Sequence, residues 1–193
     1  MQRRPFLAAL LTCPVALRAQ AQATADAAAV HLLRQGGVVV AMRHALAPGT
    51  FDPPEFKLGD CRTQRNLSDE GRAQAVRIGQ WFERHQLKPE QVRSSPWCRC
   101  VDTATLAFGS AQPWSALASP RGGTDSVNAQ AQRELALAVK SASLQIRRFE
   151  VWVTHQFVLT DLVGVAADSG QALLLKLAND GVGLRLVGRL PSL

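Results

Sequence analysis

Absences bound this sequence first. It has no internal repeat and no low-complexity tract beyond an Ala/Gln-rich stretch at residues 19–23, so solenoids and repeat arrays are excluded. It contains no tyrosine, and nothing in the composition explains this. Charged residues are only 19% and apolar residues 47%, with no bias toward disorder or coiled coil. Beyond the N-terminus no segment is apolar enough to span a bilayer, so no stable membrane span is expected in the mature form. The basic residues are scattered, without the interleaved aromatics of a nucleic-acid stripe, so no nucleic-acid partner is expected. Paired Cys-x-x-Cys spacing is missing too, which argues against a metal site, although Cys98 and Cys100 with a histidine keep a metal- or redox-active alternative open.

What is present begins with an export signal. Arg3 and Arg4 precede an apolar stretch from Phe6 to Leu17, too short for a stable span. Ala19-Gln20-Ala21 and Ala21-Gln22-Ala23 are both small-x-small cleavage sites. Residues 1–23 therefore read as a secretory signal peptide and residues 24–193 as one domain, located in the periplasm or secreted. The competing readings are a buried first helix and a lipoprotein anchored at Cys13, whose Leu11-Thr12 context fits a lipobox poorly. The formal charge is +7, from 22 basic and 15 acidic residues. Arg3, Arg4 and Arg18 lie in the signal, so the mature chain sits near +4, which favours anionic substrates. Cys61, Cys98 and Cys100 remain after trimming. In an oxidising compartment they predict one disulfide and one leftover thiol. Two residues apart on a helical turn, Cys98 and Cys100 pair poorly with each other, so Cys61 is expected to pair with Cys98 or Cys100.

Strand and helix patterns alternate along the chain. Helices are expected at Ala25–Gln35 with Thr24 as N-cap, from Ser68 to about His85, at Cys98–Phe108, at Ala129–Ser143 and at Phe157–Ala166. Strands are expected at Val38–Met42, Gln91–Ser95, Glu150–Thr154, Leu173–Lys176 and Gly183–Val187, the last two joined by an Asn179-Asp180-Gly181 turn. Pro48–Asn66 reads as a long loop, and Pro113–Asn128 as irregular. The alternation implies an α/β fold, a three-layer sandwich of a largely parallel sheet with helices on both faces. Ligands bind such sheets beyond the carboxyl ends of the strands. Arg43-His44 follows the first strand, Arg99 the second and His155 the third. Two guanidinium forks can grip a phosphoryl group, one imidazole can attack phosphorus, and a second can steady the transition-state oxygens. Trp97 reads equally as pocket lining or packing. Arg62, Arg65 and Arg72 read as solvated or loop-packing charges.

A family resemblance strengthens this. VVVAMRHALAPG resembles the strand-Arg-His signature of the histidine phosphatase superfamily, also called phosphoglycerate mutase-like. NLSDEGRAQA, VRSSPWCRCVDTA and VWVTHQ resemble its helix start, its second Arg segment and its late strand ending in His, in the family's order over most of residues 36–165. The resemblance implies a phosphoglycerate mutase-like fold, and hydrolysis of a phosphomonoester through a phosphohistidine on His44. It gives His155 the role of second histidine and Arg43 and Arg99 that of phosphate ligands, with no cofactor and no metal. The partner implied is a small phosphorylated substrate, whether a sugar, glycolipid or protein phosphate. Small exported members resemble the chain most, and they imply that Cys61, Cys98 and Cys100 lie near the pocket mouth. The chain departs from the family at Ala45, where Gly is common, and at Leu46, where an acid often stands. Asp125 is then the leading proton donor, with Asp52, Glu55 and Asp60 as alternatives. The missing acid also supports a non-catalytic or degenerate phosphoryl-binding member.

Overall fold

In the computed structural model, which describes residues 14–120, 123–190 and 193, six strands form one sheet in the order β3-β2-β4-β1-β5-β6. The strands are β1 (Val38–Arg43), β2 (Gln91–Ser94), β3 (Gln112–Pro113), β4 (Phe149–Thr154), β5 (Ala172–Leu177) and β6 (Leu184–Leu190). The first four by position, β3, β2, β4 and β1, run parallel. β5 and β6 add an antiparallel edge, β5 against β1 and β6 against β5. The fold is α/β, as expected, and phosphoglycerate mutase-like.

The pleat explains the layers. Alternate side chains of a strand point to opposite faces, so a strand buried on both sides reads as continuous apolar sequence. Val38, Val40 and Met42 of β1 face one core with Val151 and Val153 of β4. Helix α1 (Pro14–Gln35) supplies Ala29, Val30 and Leu33 to that core, α2 (Asp69–Arg84) supplies Ile78, Trp81 and Phe82, and α3 (Cys98–Phe108) supplies Cys100 and Ala104. Val39 and Ala41 face the other core with Trp152, against Leu135 and Val139 of α4 (Asp125–Ser143) and Leu159 of α5 (Gln156–Val163).

Two expectations about the elements need correction. α1 begins at Pro14, so Thr24 lies inside the helix and does not cap it; from residue 22 onward the first buried side chain of the helix is Ala29. Residues 1–13, with the basic start of the expected signal, lie outside the described residues. The segment expected to be irregular contributes β3 and a short 3-10 turn at Ser115–Leu117, and α4 opens at Asp125, where the Thr124 hydroxyl accepts from the Val127 amide. Among the described residues no helix is long and apolar enough to cross a membrane.

Candidate active site

β1 and β4 are adjacent and parallel, so their carboxyl ends deliver Arg43-His44 and His155 side by side. The rings of His44 and His155 lie 5.7 Å apart, inclined at 69°. β2 pairs with the other edge of β4 and sends Arg99, on α3, to the same end. The sequence expectation of convergence is met. Arg43, His44, Arg99 and His155 all line one cavity of about 480 Å³.

His44 is locked from several directions. Its amide donates to the Thr154 carbonyl at 2.9 Å, and its own carbonyl accepts from the Gly170 amide at 3.1 Å. Nδ1 lies 2.8 Å from the Ala45 carbonyl, an acceptor only, so Nδ1 carries the proton and Nε2 is left with the lone pair. Ala45 in turn is held by its amide bond to the Thr103 hydroxyl at 3.0 Å, and Thr103 donates to the Arg99 carbonyl at 2.6 Å. Leu46 donates to Gln74 Oε1 at 2.9 Å. The start of α2 presses on this turn so closely that a Cβ at Gly71 would stand 2.0 Å from the Leu46 carbonyl oxygen. The Gly71, Gln74 and Thr103 positions of the sequence motifs thus build the shelf under the histidine.

Burial, with the nearby Arg99, Arg65 and Arg43 charges, pushes His44 down to about 3 against an opposing hydrogen bond to Ala45. Burial and Arg99 likewise hold His155 well below the usual histidine range. Both imidazoles are neutral at physiological pH, which leaves His44 a free nucleophilic nitrogen. His155 Nε2 lies 2.8 Å from the Ser95 hydroxyl, and its Nδ1 faces Arg99 Nη2 at 3.4 Å. Arg43 Nη1 donates to Gln156 Oε1 at 3.0 Å and to the Ala167 carbonyl at 3.2 Å.

The roof of the cavity comes from the loop after β1. Gly49, Phe51, Asp52, Pro53, Phe56 and Arg65 line it, with Trp97 from the start of α3. Arg65 corrects the reading of it as an ordinary loop charge. Half-buried, it donates through Nη1 to the Ala47 and Gly49 carbonyls and stands beside Arg99. The Nε atoms of Arg43, Arg65 and Arg99 are all buried without a partner, a cost to the free protein of the kind an anion relieves. Trp97 does line the pocket, and Phe56 stacks on it at 5.3 Å. Arg62 and Arg72 are both exposed, and they pair with Asp60 and Asp102.

Asp125 stands apart from this cluster. It is exposed on the first turn of α4, where an acid complements the helix dipole, and it does not line the cavity. Asp52 does. Burial alone would raise its pKa, but hydrogen bonds from Arg99 and the Arg65 amide hold the carboxyl below its ordinary range. Cys61 and Cys98 form a disulfide that ties the loop to α3, with a Cα–Cα distance of 5.7 Å. Cys100 is the buried free thiol, and burial pushes it up to about 12. Among the described residues no cluster of three or more His, Cys, Asp or Glu could hold a metal ion.

Residues 39–120 match the histidine phosphatase superfamily, branch 1. That match spans less than half of the 193-residue chain. No curated protein sequence matches it. Among solved structures, a mycobacterial glucosyl-3-phosphoglycerate phosphatase is similar, with 17% identity, a TM-score of 0.58, and coverage of 81% of this chain and 99% of the other. The protein histidine phosphatase SixA, complexed with tungstate, aligns with 17% identity and a TM-score of 0.50 over 80% of this chain and 97% of that one. The product of a Mycobacterium tuberculosis open reading frame aligns with 20% identity and a TM-score of 0.55 over 78% and 96%. Further structures of the mycobacterial phosphatase hold VO3 and inorganic phosphate. At these identities the likeness is one of fold.

Proposed function

We propose that the protein is a phosphatase that hydrolyses a phosphomonoester through a phosphohistidine on His44. The observation that carries this is the state of His44: Nδ1–H is spent on the Ala45 carbonyl, and Nε2 is an unprotonated nitrogen in a cavity ringed by Arg43, Arg65 and Arg99. The guanidinium groups bind and orient the phosphoryl oxygens. The Nε2 lone pair forms the N–P bond as the P–O bond to the leaving group breaks, and the leaving oxygen takes a proton from solvent water. Ala45 steadies the ring, which becomes cationic while Nε2 carries the phosphoryl group. His155 faces the same centre and stabilises the transferring oxygens. Water then attacks phosphorus, the N–P bond breaks, and inorganic phosphate leaves with His44 neutral again. Solved phosphatases of this fold include complexes with tungstate, VO3 and phosphate, which agrees with a phosphoryl pocket.

The substrate in this reading is a small phosphorylated molecule met outside the cytoplasm, because the N-terminal pattern is that of an export signal. His44→Ala should abolish turnover of an aryl phosphate, and wild-type protein quenched during turnover should carry acid-labile phosphate. An active mutant, or wild type without label under turnover, overturns the mechanism. A second reading, phosphoryl binding without turnover, has one observation in its favour. Asp52 is the only carboxylate lining the cavity among the described residues, and it is already paired with Arg99. The same aryl phosphate assay separates the two.

A further inference from the structure

Arg99 is expected to grip the phosphoryl group, yet its fork is already full. A guanidinium has five N–H bonds, four of them on the terminal nitrogens. Nη1 donates to Asp52 Oδ1 at 2.8 Å and to the Arg65 carbonyl at 3.3 Å. Nη2 donates to Asp52 Oδ2 at 3.2 Å and faces His155 Nδ1 at 3.4 Å. The fifth, on Nε, is buried without a partner. A carboxylate offers two oxygens to the fork in the way a phosphoryl group does, so Asp52 stands on Arg99 as an internal anion. Two more donors complete its seat, the Arg65 amide at 3.0 Å and Trp97 Nε1 at 3.1 Å.

Electrostatics explains why the seat is filled in the free protein. Arg43, Arg65 and Arg99 surround two neutral histidines, and each Arg lowers the proton affinity of its neighbours. Asp52 offsets one of these positive charges. The same argument makes it a rival to substrate. A carboxylate and a phosphoryl dianion on one guanidinium repel strongly where water screens poorly. Asp52 has a way out, because its side chain is 18% exposed whereas Arg99 is 4% exposed. It rides on the loop after β1, which the Cys61–Cys98 bridge fixes only at its far end.

We propose that Asp52 is a latch: it occupies the Arg99 fork in the free protein, and the phosphoryl group displaces it on binding. This rests on the reading of the cavity as a phosphoryl site. Anion affinity is then reduced by the fraction of molecules in which the latch is closed, and opening it restores that affinity. A carboxylate that merely held Arg99 in place would have the opposite effect, because removing it would weaken binding.

The sign of the change decides the matter. Dissociation constants for orthovanadate and inorganic phosphate are measured by calorimetry on wild type, Asp52→Asn and Asp52→Ala. Asparagine keeps the shape and can still accept from the Arg65 amide through its one carbonyl oxygen, so it decides the question if the alanine variant folds poorly. Both variants should bind orthovanadate about tenfold more tightly than wild type. The Trp97 indole N–H resonance, assigned with Trp97→Phe, should shift on saturation of wild type and barely move in Asp52→Ala. Tightening in the variants, including binding seen only in them, supports the latch. Unchanged or weaker binding in Asp52→Asn overturns it and leaves the phosphoryl pocket standing. No binding of either anion to any of the three proteins overturns the pocket reading and the latch together.

Discussion

The floor and the roof of the cavity are built on different principles. The floor, Arg43-His44 and His155, hangs from two central parallel strands whose residues are almost all buried, and backbone ladder bonds set its register. The roof, residues 49–65, has no strand. Arg65 grips the Ala47 and Gly49 carbonyls, Asp52 grips Arg99, Thr63 bonds to Lys57 and Asp60, and one disulfide pins the far end. The difference teaches where rigidity comes from. A floor made of backbone resists any single substitution outside its core, whereas a roof made of side-chain bonds can be dismantled one bond at a time.

Breaking the disulfide should have the largest effect on the roof. Cys61 and Cys98 are 37 residues apart, and removing such a bridge costs about 4 kcal/mol on the chain-entropy estimate. Denaturant melts of the double Ser variant should show that loss, and thiol counting on denatured, non-reduced protein should find Cys100 free. An unchanged melt would mean that the side-chain bonds hold the loop by themselves.

The two arginines test floor against roof next. Arg43→Ala should lower kcat/KM by about 2–4 kcal/mol, by analogy with a lost oxyanion donor, without altering the melting temperature much. Arg65→Ala should lose less, about 1–2 kcal/mol, and should also lower the melting temperature because the loop loses its grip on Ala47 and Gly49. Equal kinetic losses with equal melts would erase the distinction.

Acid acts chiefly on the floor. His44 binds its proton near 6.5 in the unfolded chain and only at about 3 when folded, and His155 shifts in the same direction. The unfolded state therefore takes up more protons in this window. Stability should fall as pH drops from about 6.5 toward 3, by about 1.4 kcal/mol per pH unit for His44, with His155 adding in the same direction, and stay flat above it. Unfolding free energies at several pH values test this, and His44→Gln should show a shallower slope. An unchanged slope in that variant would mean that His44 is not buried neutral.

The smallest effect belongs to Asp125. Its replacement by Asn should change kcat less than about threefold and stability by under about 1 kcal/mol, as for an exposed acid on a first helical turn. A loss of a hundredfold in kcat would restore it as the proton donor and require the segment before α4 to close over the cavity.

Much of the floor was legible in the amino-acid order. Val38–Met42 and Val151–Val153 are apolar runs that only a strand buried on both faces accommodates, and a parallel sheet brings their ends, Arg43-His44 and His155, together by topology. Local chemistry also marked one cap, so Ser68 starts α2 where expected. The roof was not legible. Arg65 looks like Arg62 and Arg72 in sequence, and no periodicity separates a guanidinium folded over a cavity from one in solvent. Asp52 and Asp125 are both acids beside irregular chain, and only the path of the loop puts one on Arg99 and leaves the other outside. The choice of Cys98 over Cys100 is of the same kind. Successive positions on α3 point about 100° apart, so one sulfur faces the loop and the other, two residues on, faces the core. The sequence by itself determined five of the six strands, their buried faces and the residues at their ends, because these follow from periodicity and burial. Tertiary structure alone decided which charges meet across the cavity, because those contacts depend on how an aperiodic loop closes, and loop closure is set by distant partners.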